Sequence, residues 1–142
     1  MTDTRSVCEL ALVKVNLETA LTSWLAEALR SNTSLVRLDL RLSNLGGTSA
    51  AVALGEALGR HRRLRSLYLA GTGLSDDALR GLIAGLAANR KLVDLDVGFN
   101  DLSTGSGCLA LGEALRTRRP PLRRLRMREN GITWSRSASQ SA

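Results

Sequence analysis

Aliphatic residues return along this chain with one fixed spacing: Leu-x-x-Leu-x-Leu, then a polar residue three places on, then Leu or Ile two beyond it. Four clear copies run Leu35, Leu38, Leu40, Ser43, Leu45; Leu64, Leu67, Leu69, Thr72, Leu74; Leu92, Leu95, Val97, Asn100, Leu102; and Leu122, Leu125, Met127, Asn130, Ile132. They begin 29, 28 and 30 residues apart, and a weaker copy, Val7, Leu10, Leu12, Val15, Leu17, stands 28 residues ahead of the first. Self-similarity at such a period predicts a solenoid, in which each unit buries its apolar face on the next. The weak copy puts Val15 where the polar residue belongs and is expected to be a degenerate terminal unit.

Inside each unit two apolar residues flank one outward position, as in Leu38-Asp39-Leu40 and Leu95-Asp96-Val97. That is the period-2 signature of a short strand with one face buried. The spacing then becomes helical: Ala51, Leu54, Leu58; Leu79, Leu82, Leu86; Cys108, Leu111, Leu115; and Leu21, Leu25, Leu29 after the weak copy. Ser75 before Asp76 and Asp77 has the form of an N-cap, and Thr48 or Ser49 is expected to cap the helix before it. Arg60, Arg62, Arg63 and Arg90 mark helix ends, and Pro120-Pro121 stops the last helix.

Strands joined through helices lie parallel. A doubly wound sheet would bury them on both faces, whereas here Arg37, Asp39, Tyr68, Asp94, Asp96, Arg124 and Arg126 occupy outward positions. No glycine-rich phosphate loop follows any strand. The expected architecture is therefore an α/β solenoid with a curved parallel sheet on the concave side and helices on the convex side. It holds about four clear repeats plus one degenerate N-terminal repeat, over residues 1–132. A Ser-rich tail, residues 133–142, is expected to be disordered.

These residues resemble the leucine-rich repeat, and the period with a full helix resembles its ribonuclease-inhibitor-like subclass, found in ribonuclease inhibitors and Nod-like receptors. Leu25-Ala26-Glu27-Ala28-Leu29, Leu54-Gly55-Glu56-Ala57-Leu58 and Leu111-Gly112-Glu113-Ala114-Leu115 look like that subclass's helix consensus. Asn100 and Asn130 match the family's asparagine position, which implies that their amides satisfy backbone groups in the turn after the strand; Thr72 and Ser43 do so only in part. The resemblance implies a non-catalytic protein-interaction module, and because no clear polar cap follows the fourth clear unit, a part or isoform of a longer repeat protein is expected. Two other functions known in the subclass compete: GTPase activation, and ligand sensing within a Nod-like receptor-type protein.

Composition narrows the partner more than the fold. The 142 residues are 44% hydrophobic but only 3% aromatic, so the core must be built of Leu, Ala and Val. The net charge of +7 rests on 18 Arg against two Lys, Lys14 and Lys91, a surface suited to bidentate contacts with carboxylates or phosphates. Cys8 and Cys108 stand several repeats apart, too far to bridge, which implies a reducing compartment and a cytoplasmic location, with a nuclear one also open. No apolar stretch nears membrane-spanning length. No Ser/His/Asp set or cluster of metal ligands is visible, so neither catalysis, nor a cofactor, nor a metal is expected; the lone His61 is expected in solvent.

Strand register turns the repeat into rows: Glu9, Arg37, Ser66, Asp94, Arg124; Ala11, Asp39, Tyr68, Asp96, Arg126; then Val13, Arg41, Ala70, Gly98, Arg128; then Lys14, Leu42, Gly71, Phe99, Glu129. A protein partner is expected on Arg37, Asp39, Tyr68, Asp94, Asp96, Phe99, Arg124 and Arg126, with Asp94 pairing Arg124 and Asp96 pairing Arg126. Tyr68, Phe99 and Leu42 form its apolar contact spot. Arg116, Arg118, Arg119, Arg123 and Arg128 form a second, unpaired edge for an anionic partner, such as an acidic protein surface. Nucleic acid and membrane are not expected, since few aromatics are there to stack bases, and the chain is expected to be a monomer.

Overall fold

A computed structural model describes residues 7–117 and 122–132; the serine-rich segment 133–142 lies outside them. Strands and helices alternate through β1 (Glu9–Ala11), α1 (Glu18–Ser31), β2 (Arg37–Asp39), α2 (Thr48–Gly59), β3 (Ser66–Tyr68), α3 (Asp76–Leu86), β4 (Asp94–Asp96), α4 (Ser106–Thr117) and β5 (Arg124–Arg126). All five strands join one parallel sheet in chain order. The rows expected from the repeat are the rows observed: Glu9, Arg37, Ser66, Asp94 and Arg124 are successive partners, as are Ala11, Asp39, Tyr68, Asp96 and Arg126. Between them Leu10, Leu38, Leu67, Leu95 and Leu125 point inward, with Leu38 and Leu67 fully buried against Leu54, Leu58, Leu79 and Leu82 of the helices.

Each turn after a strand bends through a left-handed residue, at Lys14, Leu42, Gly71, Phe99 and Glu129, with φ of 59°, 62°, 66°, 54° and 56°. For a residue with a side chain this conformation costs roughly 1–2 kcal/mol. Because it recurs in every unit, it belongs to the repeat and not to one site. Side chains at the polar position just after the turn compensate. Asn100 Oδ1 accepts from the Thr72 and Leu74 amides, both at 3.0 Å, and its Nδ2 donates to the carbonyls of Leu69, Val97 and Gly98 at 2.9 to 3.0 Å. Asn130 repeats the arrangement one unit on, accepting from Asn100 N and donating to Val97 and Met127. Thr72 and Ser43, with only a hydroxyl, reach Leu69 O and Leu12 O respectively, and Ser43 Oγ also accepts from Val15 N.

Helix starts differ from one another. Ser75 caps α3, its Oγ accepting from Ala78 N at 3.2 Å. Neither Thr48 nor Ser49 caps α2: the N-cap is Gly47, at φ 100°, without a side-chain bond. Asp76, in the first turn of α3, instead reaches forward to accept from Thr104 N at 3.0 Å and Gly107 N at 2.7 Å. Burial opposes ionisation of Asp76, but these hydrogen bonds outweigh it and hold the carboxyl below its ordinary range. In α1 the inward face is Thr22, Ala26 and Leu29, not Leu21, which is 48% exposed. Thr22 Oγ1 donates to Leu45 O at 2.8 Å, tying α1 to the second unit.

His61 is not in solvent. It is 5% exposed, and its Nδ1 accepts from the Arg63 and Leu64 amides at 3.4 and 3.2 Å while Nε2 lies 3.3 Å from Asn32 Oδ1. Since Nδ1 accepts, the proton sits on Nε2 and is donated to Asn32. Desolvation lowers the His61 pKa from 6.5, partly opposed by Asn32, so the buried ring is neutral. The unfolded chain therefore takes up this proton first as pH falls, and stability contributed by neutral His61 begins to drop near 6.5. His61 is the single histidine. We expect the melting temperature to decline between about pH 7.5 and 5.5, a window in which few other side chains titrate. A flat profile there would contradict the burial of the neutral ring.

Candidate functional site

The outward residues of β2 to β5 come together as a single charged sheet surface centred on Tyr68. Its ring lies under two guanidinium groups, with Arg37 Cζ 4.6 Å and Arg41 Cζ 5.7 Å from the ring centroid. Its Oη donates to Asp94 Oδ2 at 3.0 Å. Asp39 is held by a two-pronged pair with Arg41, Nε to Oδ1 at 2.9 Å and Nη2 to Oδ2 at 2.7 Å, with Arg37 3.7 Å away. The Arg41 hydrogen bond holds the Asp39 carboxyl below its ordinary range against the effect of burial.

The expected pairing of Asp96 with Arg126 does not form. Arg126 crosses to Asp94 Oδ1 at 3.0 Å, joining Arg124 at 3.3 Å on Oδ2, while Asp96 turns to its own backbone and accepts from Gly98 N at 2.9 Å. Asp94 is thus a three-donor hub. Asp39, Asp94 and Asp96 are buried, at 3%, 6% and 8% exposure, while the arginines over them stay partly or largely exposed. Asp39 and Asp94 are thus covered carboxylates beneath a guanidinium surface, with Asp96 buried beside them. A cavity of about 310 Å³ opens there between Arg37, Arg41, Tyr68, Asp96, Arg126 and Arg128.

Phe99 projects beside this cavity, 53% exposed, with Arg128 Cζ 5.4 Å from its ring centroid; Leu42, 54% exposed, occupies the same row. Arg41 was visible as a row member, but nothing in the sequence marks it as the partner that clamps Asp39 and covers Tyr68. Of the second expected edge, Arg116 lies in the last turn of α4 and pairs with Glu113 at 2.6 Å, Arg123 and Arg128 are exposed before and after β5, and Arg118 and Arg119 lie outside the described residues. Cys8 is exposed, and Cys108 is half-buried against the core, where burial raises its thiol pKa.

Repeat period, parallel sheet and asparagine ladder together define a leucine-rich repeat solenoid, and known proteins agree. The leucine-rich repeat family model matches residues 31–52 and 88–112. NACHT, LRR and PYD domains-containing protein 12 of Mus musculus is 37% identical over 110 residues, 77% of this chain but 10% of its own length. Leucine-rich repeat-containing protein 73 of Rattus norvegicus and of Homo sapiens is 39% identical over 74 residues, 52% of this chain and 23% of theirs. Among solved structures, Leiomodin-1 Actin-Binding Site 2 (ABS2) superposes with a TM-score of 0.77 at 17% identity, covering 87% of this chain and 72% of that one, a likeness of fold. The chain is a leucine-rich repeat protein of the Nod-like receptor and ribonuclease-inhibitor type. With that comes the general character of the family, interaction modules and not catalysts. Among the described residues no helix is long and apolar enough to cross a membrane.

Proposed function

We propose that this chain is a non-catalytic interaction module whose concave strand face binds an acidic segment of a protein partner, with Tyr68 and Phe99 as its anchors. One observation carries this reading: Asp39 and Asp94 are already paired with arginines and Asp96 is buried, while Arg37, Arg41, Arg126 and Arg128 stay partly or largely exposed around Tyr68 and Phe99. Aromatic and arginine side chains at the centre of a patch are the types that dominate binding energy. The arginines would also steer an acidic partner and weaken with salt.

Affinity capture with the wild-type chain and a Tyr68→Ala/Phe99→Ala chain tests it. A genuine partner should be lost by roughly tenfold or more in affinity, the consequence of about 1.4 kcal/mol or more at such anchors. Trp24→Ala, on the exposed face of α1, should leave capture intact. A partner held equally by the double variant excludes this face. The match to a NACHT-, LRR- and PYD-domain protein supports a second reading, in which these repeats act as the repeat part of a protein with further domains. Sequencing the full-length transcript decides between the two.

A further inference from the structure

A second basic surface lies on the rim where helices end and the chain returns to the sheet, away from the strand face. Two adjoining cavities open there. One, of about 430 Å³, is lined by Arg30, Arg60, Arg62 and Arg63 together with Asn32, Thr33 and His61. The other, of about 520 Å³, shares Arg60, His61 and Arg62 and adds Arg90 and Lys91. Arg30 is engaged by Glu27 and Glu56, but Arg60, Arg62, Arg63, Arg90 and Lys91 have no ion pair among the described residues. No acidic side chain lines either cavity.

Compensation of helix dipoles does not account for so many cations. Each helix end carries about half a negative charge. The ends of α1, α2 and α3 together therefore call for fewer than two cations, whereas five stand unpaired. The loop that bears them is also fixed from beneath. His61 Nδ1 accepts from Arg63 N and Leu64 N, and Asn89 Nδ2 donates to the carbonyls of Leu58 and His61 at 2.8 and 3.2 Å. A rigid floor under convergent cations lowers the ordering cost of binding.

We propose that this rim is a binding site for a compact ligand bearing several phosphates, held by Arg60, Arg62, Arg63, Arg90 and Lys91. The cavities have the size of a small-molecule site, and arginine forks suit phosphate oxygens. The one ring in their lining is His61, which is 5% exposed with both nitrogens engaged, so no exposed ring is placed to stack a nucleobase. Such a ligand is either a soluble inositol polyphosphate or the headgroup of a phosphoinositide.

Calorimetric titration of the full chain with myo-inositol hexakisphosphate, in about 0.15 M salt, tests the site. Saturable one-to-one binding is expected. It should weaken by roughly tenfold or more in Arg60→Ala/Arg62→Ala/Arg90→Ala, whose side chains are exposed. The strand-face variant Arg41→Ala/Arg128→Ala should bind as wild type, which separates this site from the concave face. An unchanged circular dichroism spectrum confirms that the triple variant folds, and Arg90→Glu alone gives a second, milder readout. Recruitment to vesicles containing phosphatidylinositol 4,5-bisphosphate, reversed by the soluble polyphosphate, assigns the lipid source; binding without recruitment assigns the soluble one. Absence of saturable binding overturns the proposal. So does binding lost in the strand-face variant instead, or tight binding of single-stranded RNA in place of the polyphosphate.

Discussion

Gly85→Ala should destabilise the chain by at least about 2 kcal/mol, although alanine is the better helix former by roughly 1 kcal/mol. A Cβ at position 85 would stand 2.3 Å from the Gly55 carbonyl carbon and 2.4 Å from Glu56 N, both backbone atoms of α2. Gly55 faces the reciprocal obstacle, with Leu82 O at 2.4 Å, and Gly59 meets Gly85 O at 2.1 Å. Side-chain rotation cannot relieve a clash with backbone, so α2 and α3 must separate and loosen Leu54, Leu58, Leu79 and Leu82, all fully buried. Overpacking typically costs about 1–3 kcal/mol, and a backbone obstacle belongs at or beyond the upper end. Gly112→Ala is the internal control. It lies in α4 with nothing within 4 Å of its Cβ position, so the same substitution should stabilise by about 0.5–1 kcal/mol. Urea denaturation of the two variants reads the opposite signs; equal shifts would mean that α2 and α3 do not pack through their glycines.

That contrast shows where sequence stops being informative. Gly55 and Gly112 occupy the same place in the helix consensus, and only the neighbouring helix distinguishes a close approach from open solvent. The strand rows were fully legible because a fixed period sets register, and a parallel sheet in chain order leaves no other pairing. In α1 hydrophobicity favours Leu21, but Thr22 takes the inward place because Leu45 O accepts its hydroxyl. His61 was misplaced for a related reason. A polar residue among arginines is exposed by default, and its burial depends on two amides and an asparagine that approach only when the loop closes. At the strand face, sequence placed Asp94 and Asp96 in the correct rows but could not choose among donors within equal reach. Gly98 N captured Asp96, which left Asp94 to gather both arginines and Tyr68. The departure from the expected Asp96–Arg126 pair follows from that local choice.

Asn100→Ala should cost about 3 kcal/mol, the high end for orphaned backbone groups, because one side chain is the partner of two amides and a further donor to three carbonyls. Truncation leaves the amides of Thr72 and Leu74 without their partner and takes one of two donors from the carbonyls of Leu69, Val97 and Gly98, which keep Thr72 Oγ1, Asn130 Nδ2 and Gly71 N, in a turn already holding Phe99 at φ 54°. Asn100→Asp separates the two halves of the role. The carboxylate retains the two acceptor bonds but sets a charge against three carbonyl oxygens, so it should be no more stable than the alanine variant. Thr72→Ala removes a hydroxyl that donates to the Leu69 carbonyl and should cost only about 1 kcal/mol. Against a total of about 5–15 kcal/mol for a domain, the loss at Asn100 is a sizeable share, and each repeat of a solenoid rests on its neighbours. The loss should therefore appear as a lowered denaturation midpoint of the whole array. A midpoint for Asn100→Ala no lower than that for Thr72→Ala would show that the amide ladder does not hold the turns.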